Sequence, residues 1–213
     1  MMRIGEEIVE KLKSIEREHS VSILFAIESG SRAWGFASAD SDYDIRFVYK
    51  HDLDWYLSIE NRRDVIEYPQ KGIFDFSGWD VRKTLRLFAK SNPPLLEWLR
   101  SPILYLEQGT FRQDLRALER RYFSPKASIL HYLNMASGNY REYLKTEIVK
   151  TKKYLYVLRP LLACEWIRKH ESPPPIEFEQ LVSETLADNS IMEQIFDLLS
   201  RKRNNEELGE GPS

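Results

Sequence analysis

Ser41-Asp42-Tyr43-Asp44-Ile45-Arg46, a short loop downstream of Gly30-Ser31, is the stretch whose alternation organises the N-terminal half of this chain. A strand points successive side chains to opposite faces. Read as a strand over 42–49, it puts Tyr43, Ile45 and Phe47 on one face and Asp42, Asp44 and Arg46 on the other. Two like charges a few Å apart repel by roughly 1–4 kcal/mol at intermediate dielectric. They gain nothing structurally, and a divalent cation between them reverses the sign of the interaction. Mg²⁺ takes one or two carboxylates and completes its shell with water and substrate phosphates.

The upstream segment supplies the complement. Ser22–Glu28 (SILFAIE) is short, apolar and β-leaning, and reads as a buried strand ending at Gly30-Ser31. Glycine lets the backbone approach an anion, and successive N–H groups with a serine hydroxyl favour a phosphate. A carboxylate pair shortly after such a turn points to metal-assisted nucleotidyl transfer.

Bulk properties bound the alternatives. The 213 residues are 42% hydrophobic, enough for one substantial core or two small ones. Charged residues make up 30% of the chain, yet the net charge is −2, so a nucleic-acid partner would need a local basic patch. Cys164 is the single cysteine, which excludes an intrachain disulfide framework and fits a small buried residue in an apolar run. The N-terminus has no signal-peptide core, and no apolar run reaches a membrane span of about 18 residues. A soluble, cytoplasmic protein with no membrane partner is expected.

The pattern predicts an amphipathic helix over 5–18 carrying Ile8, Leu12 and Ile15. Residues 51–61 read as irregular. Two strands follow over 64–68 and 72–77, joined through Pro69-Gln70-Lys71. In the second, Phe74 and Phe76 share a face and Asp75 lies on the other. Asp80 is placed to cap a helix through Val81, Leu85 and Phe88, which Asn92-Pro93-Pro94 ends. From about 109 to 203 the pattern is almost wholly helical. The expected organisation is α+β: a small mixed β-sheet flanked by helices over 1–105, a helical domain over 106–203, and a polar tail over 204–213 that frays.

A third carboxylate near Asp42 and Asp44 would help hold a second metal and ease deprotonation of an attacking hydroxyl. Asp75, mid-strand and facing away from Phe74 and Phe76, is the best candidate; Asp80 is the rival, and capping the next helix is its expected role. Arg46 can bond Asp44 or Asp75, or reach a phosphate. Glu28 is placed to orient Arg32 or Arg46. Further along, Lys145, Lys152, Tyr156 and Arg159 fall at one-face helical spacing, with Tyr140 and Tyr143 just before. They read either as a basic aromatic wall for phosphates or a base, or as a solvated face. His131 has no second histidine or cysteine at ligand spacing. Trp34, next to the Gly-Ser turn, could cover it.

Glu28 to Phe36 (ESGSRAWGF) followed by Ser38 to Phe47 (SADSDYDIRF) resembles the nucleotidyltransferase signature of the DNA polymerase beta superfamily. Residues 76–83, 90–102 and 152–160 extend the likeness to the predicted nucleotidyltransferase family associated with RNA ligases. It covers roughly residues 20 to 185. The resemblance implies Asp42 and Asp44 as metal ligands, a third acid on a later strand at Asp75 or Asp80, and Gly30 and Ser31 at a nucleoside triphosphate. Arg32, Arg46, Lys152 and Arg159 complete the expected nucleotide-binding set.

The expected activity is Mg²⁺- or Mn²⁺-dependent transfer of a nucleoside monophosphate, with ATP as the expected triphosphate, to an acceptor hydroxyl on RNA, protein or a small molecule. Pyrophosphate would leave. Two other classes remain open at this stage: a non-catalytic regulatory or antitoxin-like module on the same fold, and an RNA-binding adaptor acting through the helical basic face.

Overall fold

The computed structural model describes residues 3–145, 148–150, 153–204 and 210–212. In chain order the elements are α1 (Ile4–His19), β1 (Ser22–Glu28), α2 (Gly30–Ala33), β2 (Tyr43–Lys50), α3 (Leu53–Leu57), β3 (Val65–Lys71), β4 (Phe74–Asp80), α4 (Val81–Ala89) and α5 (Pro93–Arg100). There follow β5 (Leu104–Glu107), α6 (Phe111–Tyr122), α7 (Pro125–Tyr143), β6 (Ile148–Lys150), α8 (Lys153–His170), α9 (Phe178–Thr185), α10 (Asn189–Arg203) and β7 (Glu210–Pro212). The class is α+β. Among the described residues, no helix is long and apolar enough to cross a membrane.

The chain divides into two compact units. The first holds the N-terminal residues to Gly30, Asp42–Ala89 and Pro94–Tyr122; the second holds Ser31–Ser41, Lys90–Pro93 and the chain from Phe123 onward. The chain therefore leaves the first unit directly after Gly30 and rejoins it at Asp42.

The first unit is built on a five-stranded sheet of order β3-β4-β2-β1-β5. The β2–β4 pair is parallel and the other pairs are antiparallel. The expected helix and first strand form as read. Ile8, Leu12 and Ile15 of α1 are fully buried with Ile23, Ala26, Ile45, Phe47 and Phe76 in one apolar core. Ile45 and Phe47 thus take the core face of β2, which leaves Asp44 and Arg46 on the opposite face, as alternation requires.

Three local details differ from the sequence expectation. Residues 53–57 form a short helix inside the stretch read as irregular. The β3–β4 turn falls at Gly72-Ile73, and the Pro69–Lys71 stretch read as the link belongs to β3. Proline's missing N–H costs no ladder bond on an edge strand, and the register shifts between Tyr68 and Lys71 to absorb it. Leu104–Glu107 adds a fifth strand beside β1; its four residues were too few to stand out.

The second unit packs Tyr132, Leu155, Ala163, Ile167, Phe178, Leu181, Val182 and Leu199 into a helical core. Phe36 joins them from the Ser31–Ser41 segment and is fully buried. Burial pushes the Cys164 thiol up to about 11, in keeping with a packing role. Of the tail read as frayed, Glu210–Pro212 pair with Ile148–Lys150; residues 205–209 and 213 lie outside the described residues.

Gly78 of β4 faces Phe47 of β2 in the parallel register. A Cβ there would stand 2.1 Å from the Phe47 ring, so the ring lies where a side chain would be. Gly78→Ala is expected to destabilise the protein by about 1–3 kcal/mol through overpacking. A fall in the urea midpoint at unchanged slope checks this.

Candidate active site

The site begins with a buried acid. Glu28 ends β1 and is fully buried. Its Oε1 accepts the Asp44 backbone N–H at 2.7 Å, and its Oε2 accepts the Tyr105 hydroxyl from β5. The Ser101 hydroxyl donates to the Glu28 carbonyl at 2.6 Å. One residue on, the Ser29 N–H donates to the Asp44 carbonyl at 2.9 Å. Glu28 therefore grips the backbone of Asp44. Sequence reasoning missed Tyr105 altogether. The available signal was a glutamate closing an otherwise apolar strand: a buried carboxylate needs donors.

Gly30 follows, with φ +60°. That is the left-handed region, which glycine enters without strain. A Cβ at Gly30 would lie 2.2 Å from Asp44 Oδ2, so the backbone and this carboxylate meet where only hydrogen fits. Ser31 is the next residue of α2 and is buried; the Phe36 N–H donates to its carbonyl at 3.0 Å. Arg32 donates from Nη2 to the Ser41 carbonyl at 2.6 Å, bracing the loop that carries the chain to Asp42.

Asp44 and Asp75 stand at facing positions of the parallel β2–β4 pair. Arg46 Nη2 bridges them, 3.1 Å from Asp44 Oδ1 and 2.7 Å from Asp75 Oδ2. Its Nη1 donates to the Asp75 and Ile45 carbonyls at 3.1 and 3.2 Å. The guanidinium side chain is 18% exposed and the two carboxylates about one third exposed, 31% and 33%. Arg46 thus tethers the acids to each other. Asp42 is exposed and precedes β2, which starts at Tyr43. Among the described residues, no three His, Cys, Asp or Glu side chains gather closely enough to cage a metal by themselves.

Asp80 has other work. It faces Tyr49, five residues along β2 from Asp44, on the order of 16 Å away at ~3.3 Å per residue. Its Oδ1 accepts the Arg82 N–H at 2.8 Å, the expected cap of α4. Its Oδ2 accepts the Tyr56 hydroxyl at 2.7 Å. Burial and then this bond push the Tyr56 phenol up to about 12.

The helical face expected from Lys145 to Arg159 is broken. Helix α7 ends at Tyr143, β6 intervenes, and α8 starts at Lys153. Lys145 sits over the Tyr140 ring on the α7 side of that break. Arg159 is 2% exposed and lies over the Trp34 ring, 4.3 Å from its centroid. Trp34 also meets Phe36 at a tilt and Tyr156 edge to ring, within the helical unit. Lys152 lies outside the described residues.

A mixed sheet that presents two bridged acids at one register position, beside a glycine turn, has the architecture of a DNA polymerase beta-type nucleotidyltransferase. The chain belongs to RlaP, the RNA repair pathway DNA polymerase beta family, whose model matches residues 4–213. A relative in Bacillus subtilis (strain 168), the uncharacterized protein YcgL, is 54% identical over 203 residues, covering 95% of this chain and 78% of its own. The crystal structure of a nucleotidyltransferase-like protein from Exiguobacterium sibiricum 255-15 aligns over 94% of this chain and 72% of its own, at 11% identity and a TM-score of 0.37.

Glu28→Ala is expected to leave the Asp44 N–H and Tyr105 hydroxyl unsatisfied and to cost about 1–3 kcal/mol per orphaned group. Glu28→Gln should cost less, because its carbonyl still accepts from Asp44 and a tyrosine hydroxyl can turn to accept from the amide. Paired denaturation curves of the two variants check this order.

Proposed function

We propose that this protein is a metal-dependent nucleotidyltransferase that works through Asp42, Asp44 and Asp75. The observation that carries the reading is the register match of Asp44 and Asp75 on one face of the sheet, with the Gly30 backbone so close to Asp44 Oδ2 that a side chain there would clash.

Asp44 and Asp75 would hold a hard divalent cation through the oxygens that they do not give to Arg46. Asp44 and Asp75 each give one oxygen to Arg46, Asp44 turns its other oxygen to Gly30, and Asp42 stands exposed just ahead of the strand. Mg²⁺ or Mn²⁺ accepts one or two carboxylates with water and phosphate oxygens. When bound, it would neutralise charge on the α-phosphate and on the attacking and leaving oxygens.

The remaining steps belong to the chain itself. The Gly30-Ser31 backbone lets the triphosphate approach closely and holds its β- and γ-phosphates. Arg46, anchored to both acids, keeps the carboxylates apart at a fixed spacing and adds a positive charge beside the phosphates. Asp75 accepts the proton of the acceptor hydroxyl. The acceptor oxygen forms a bond to the α-phosphorus as the bridging bond to the β-phosphate breaks, and pyrophosphate departs. The rate gain comes from positioning and electrostatics, with no protein nucleophile. ATP is the triphosphate we favour. The family's description favours RNA as the acceptor over a protein or a small molecule.

Asp42→Asn combined with Asp44→Asn is expected to abolish Mg²⁺-dependent ATP binding in calorimetry while the fold persists. The Asp44–Arg46 pair is partly exposed, so its loss should change stability by no more than about 1 kcal/mol. Unchanged ATP affinity in the double variant would remove the basis for this assignment.

A further inference from the structure

The open face of the sheet carries more than the acids. Beside Asp75 runs a groove of about 630 Å³ whose lining includes Arg46, Arg63, Asp75, Ser77, Trp79 and Trp98. Asp75, Ser77 and Trp79 are alternate residues of β4 and so share its open face. Trp79 stacks on Trp98 of α5, with ring centroids 3.8 Å apart and planes 26° apart. Trp98 is 4% exposed, so it backs the stack, while Trp79 is only half-buried. Arg63 is exposed and pairs with Glu67 at the outer edge.

The position of this groove matters as much as its lining. In the strand order, β1 with Gly30 lies on one side of β2, and β4 with the groove lies on the other. Asp44 is between them. In an in-line displacement the attacking and leaving oxygens stand on opposite sides of phosphorus. If pyrophosphate leaves on the Gly30 side, the attacker enters from the Asp75 side, which is where the groove opens.

We infer that this groove receives the terminal nucleoside of a nucleic-acid acceptor, its base on the Trp79–Trp98 stack and its hydroxyl at Asp75. The inference rests on the nucleotidyltransferase reading and adds to it the acceptor site. The chemistry matches: an aromatic platform accepts any base by its π-face, and an arginine at the rim meets the preceding phosphate. Ser77, between platform and acid, offers a hydroxyl to the sugar. The volume falls in the range of small-molecule sites and suits one nucleotide unit.

The test uses a fluorescently labelled single-stranded RNA octamer with a free 3′-hydroxyl, titrated against the full chain in Mg²⁺ and a non-hydrolysable ATP analogue. Trp79→Leu and Arg63→Ala are each expected to weaken RNA binding, Trp79→Leu by roughly tenfold or more, with ATP–Mg²⁺ affinity unchanged. Tryptophan fluorescence of the parent should fall as RNA binds. A photoreactive 4-thiouridine at the 3′ end should cross-link to the β4–α5 region. This last measurement, with the exposed Arg63→Ala, decides the matter if Trp79→Leu does not fold. Parent-like RNA affinity in the folded variants, cross-links elsewhere, or protection of the groove by a peptide and not by RNA overturns the inference. Those outcomes are distinct from failure of the catalytic reading, which shows only as ATP binding that survives loss of Asp42 and Asp44.

Discussion

A single buried carboxylate holds the business end of the sheet in register. Glu28 sits on β1, takes an N–H from β2 and a hydroxyl from β5, and gives its own carbonyl to Ser101. Burying a carboxyl group without hydrogen-bond partners is unfavourable. Here the partners come from two flanking strands, so the same bonds that satisfy its oxygens also fix where those strands lie. Asp44 is held from behind by its backbone, while its side chain lies on the opposite face with Arg46.

The open face is then arranged by repulsion and its relief. Alternation puts Asp44 and Arg46 together on β2, and the parallel register puts Asp75 opposite Asp44. Two carboxylates so placed would push each other away. Arg46 lies between them and turns a cost into a bridge. Phe47, on the other face, requires Gly78 at the adjacent position of β4, so the core packing and the acid register lock each other.

Much of this was legible in the sequence because it rests on period two. The alternation over 43–47 gave the acid face of β2, and the Phe74–Asp75–Phe76 pattern gave the facing of Asp75. The capping geometry of Asp80 was equally local, since a cap needs only the next two residues. What stayed hidden was non-local. Nothing around Glu28 names Tyr105, because their pairing depends on a four-residue strand too short to read. The facing of Asp44 and Asp75 follows from a parallel pairing that alternation alone does not specify. The helical basic face failed for the opposite reason: Lys145 and Arg159 keep helical spacing, but the chain turns into β6 between them. Spacing carries over only while one helix continues.

The guanidinium bridge has a consequence for handling the molecule. Proteins whose carboxylates depend on a bound cation for charge balance unravel when a chelator removes it. This sheet carries its own counter-charge on Arg46, so its architecture is complete before any ion arrives. Purification in EDTA should therefore yield a folded, storable chain.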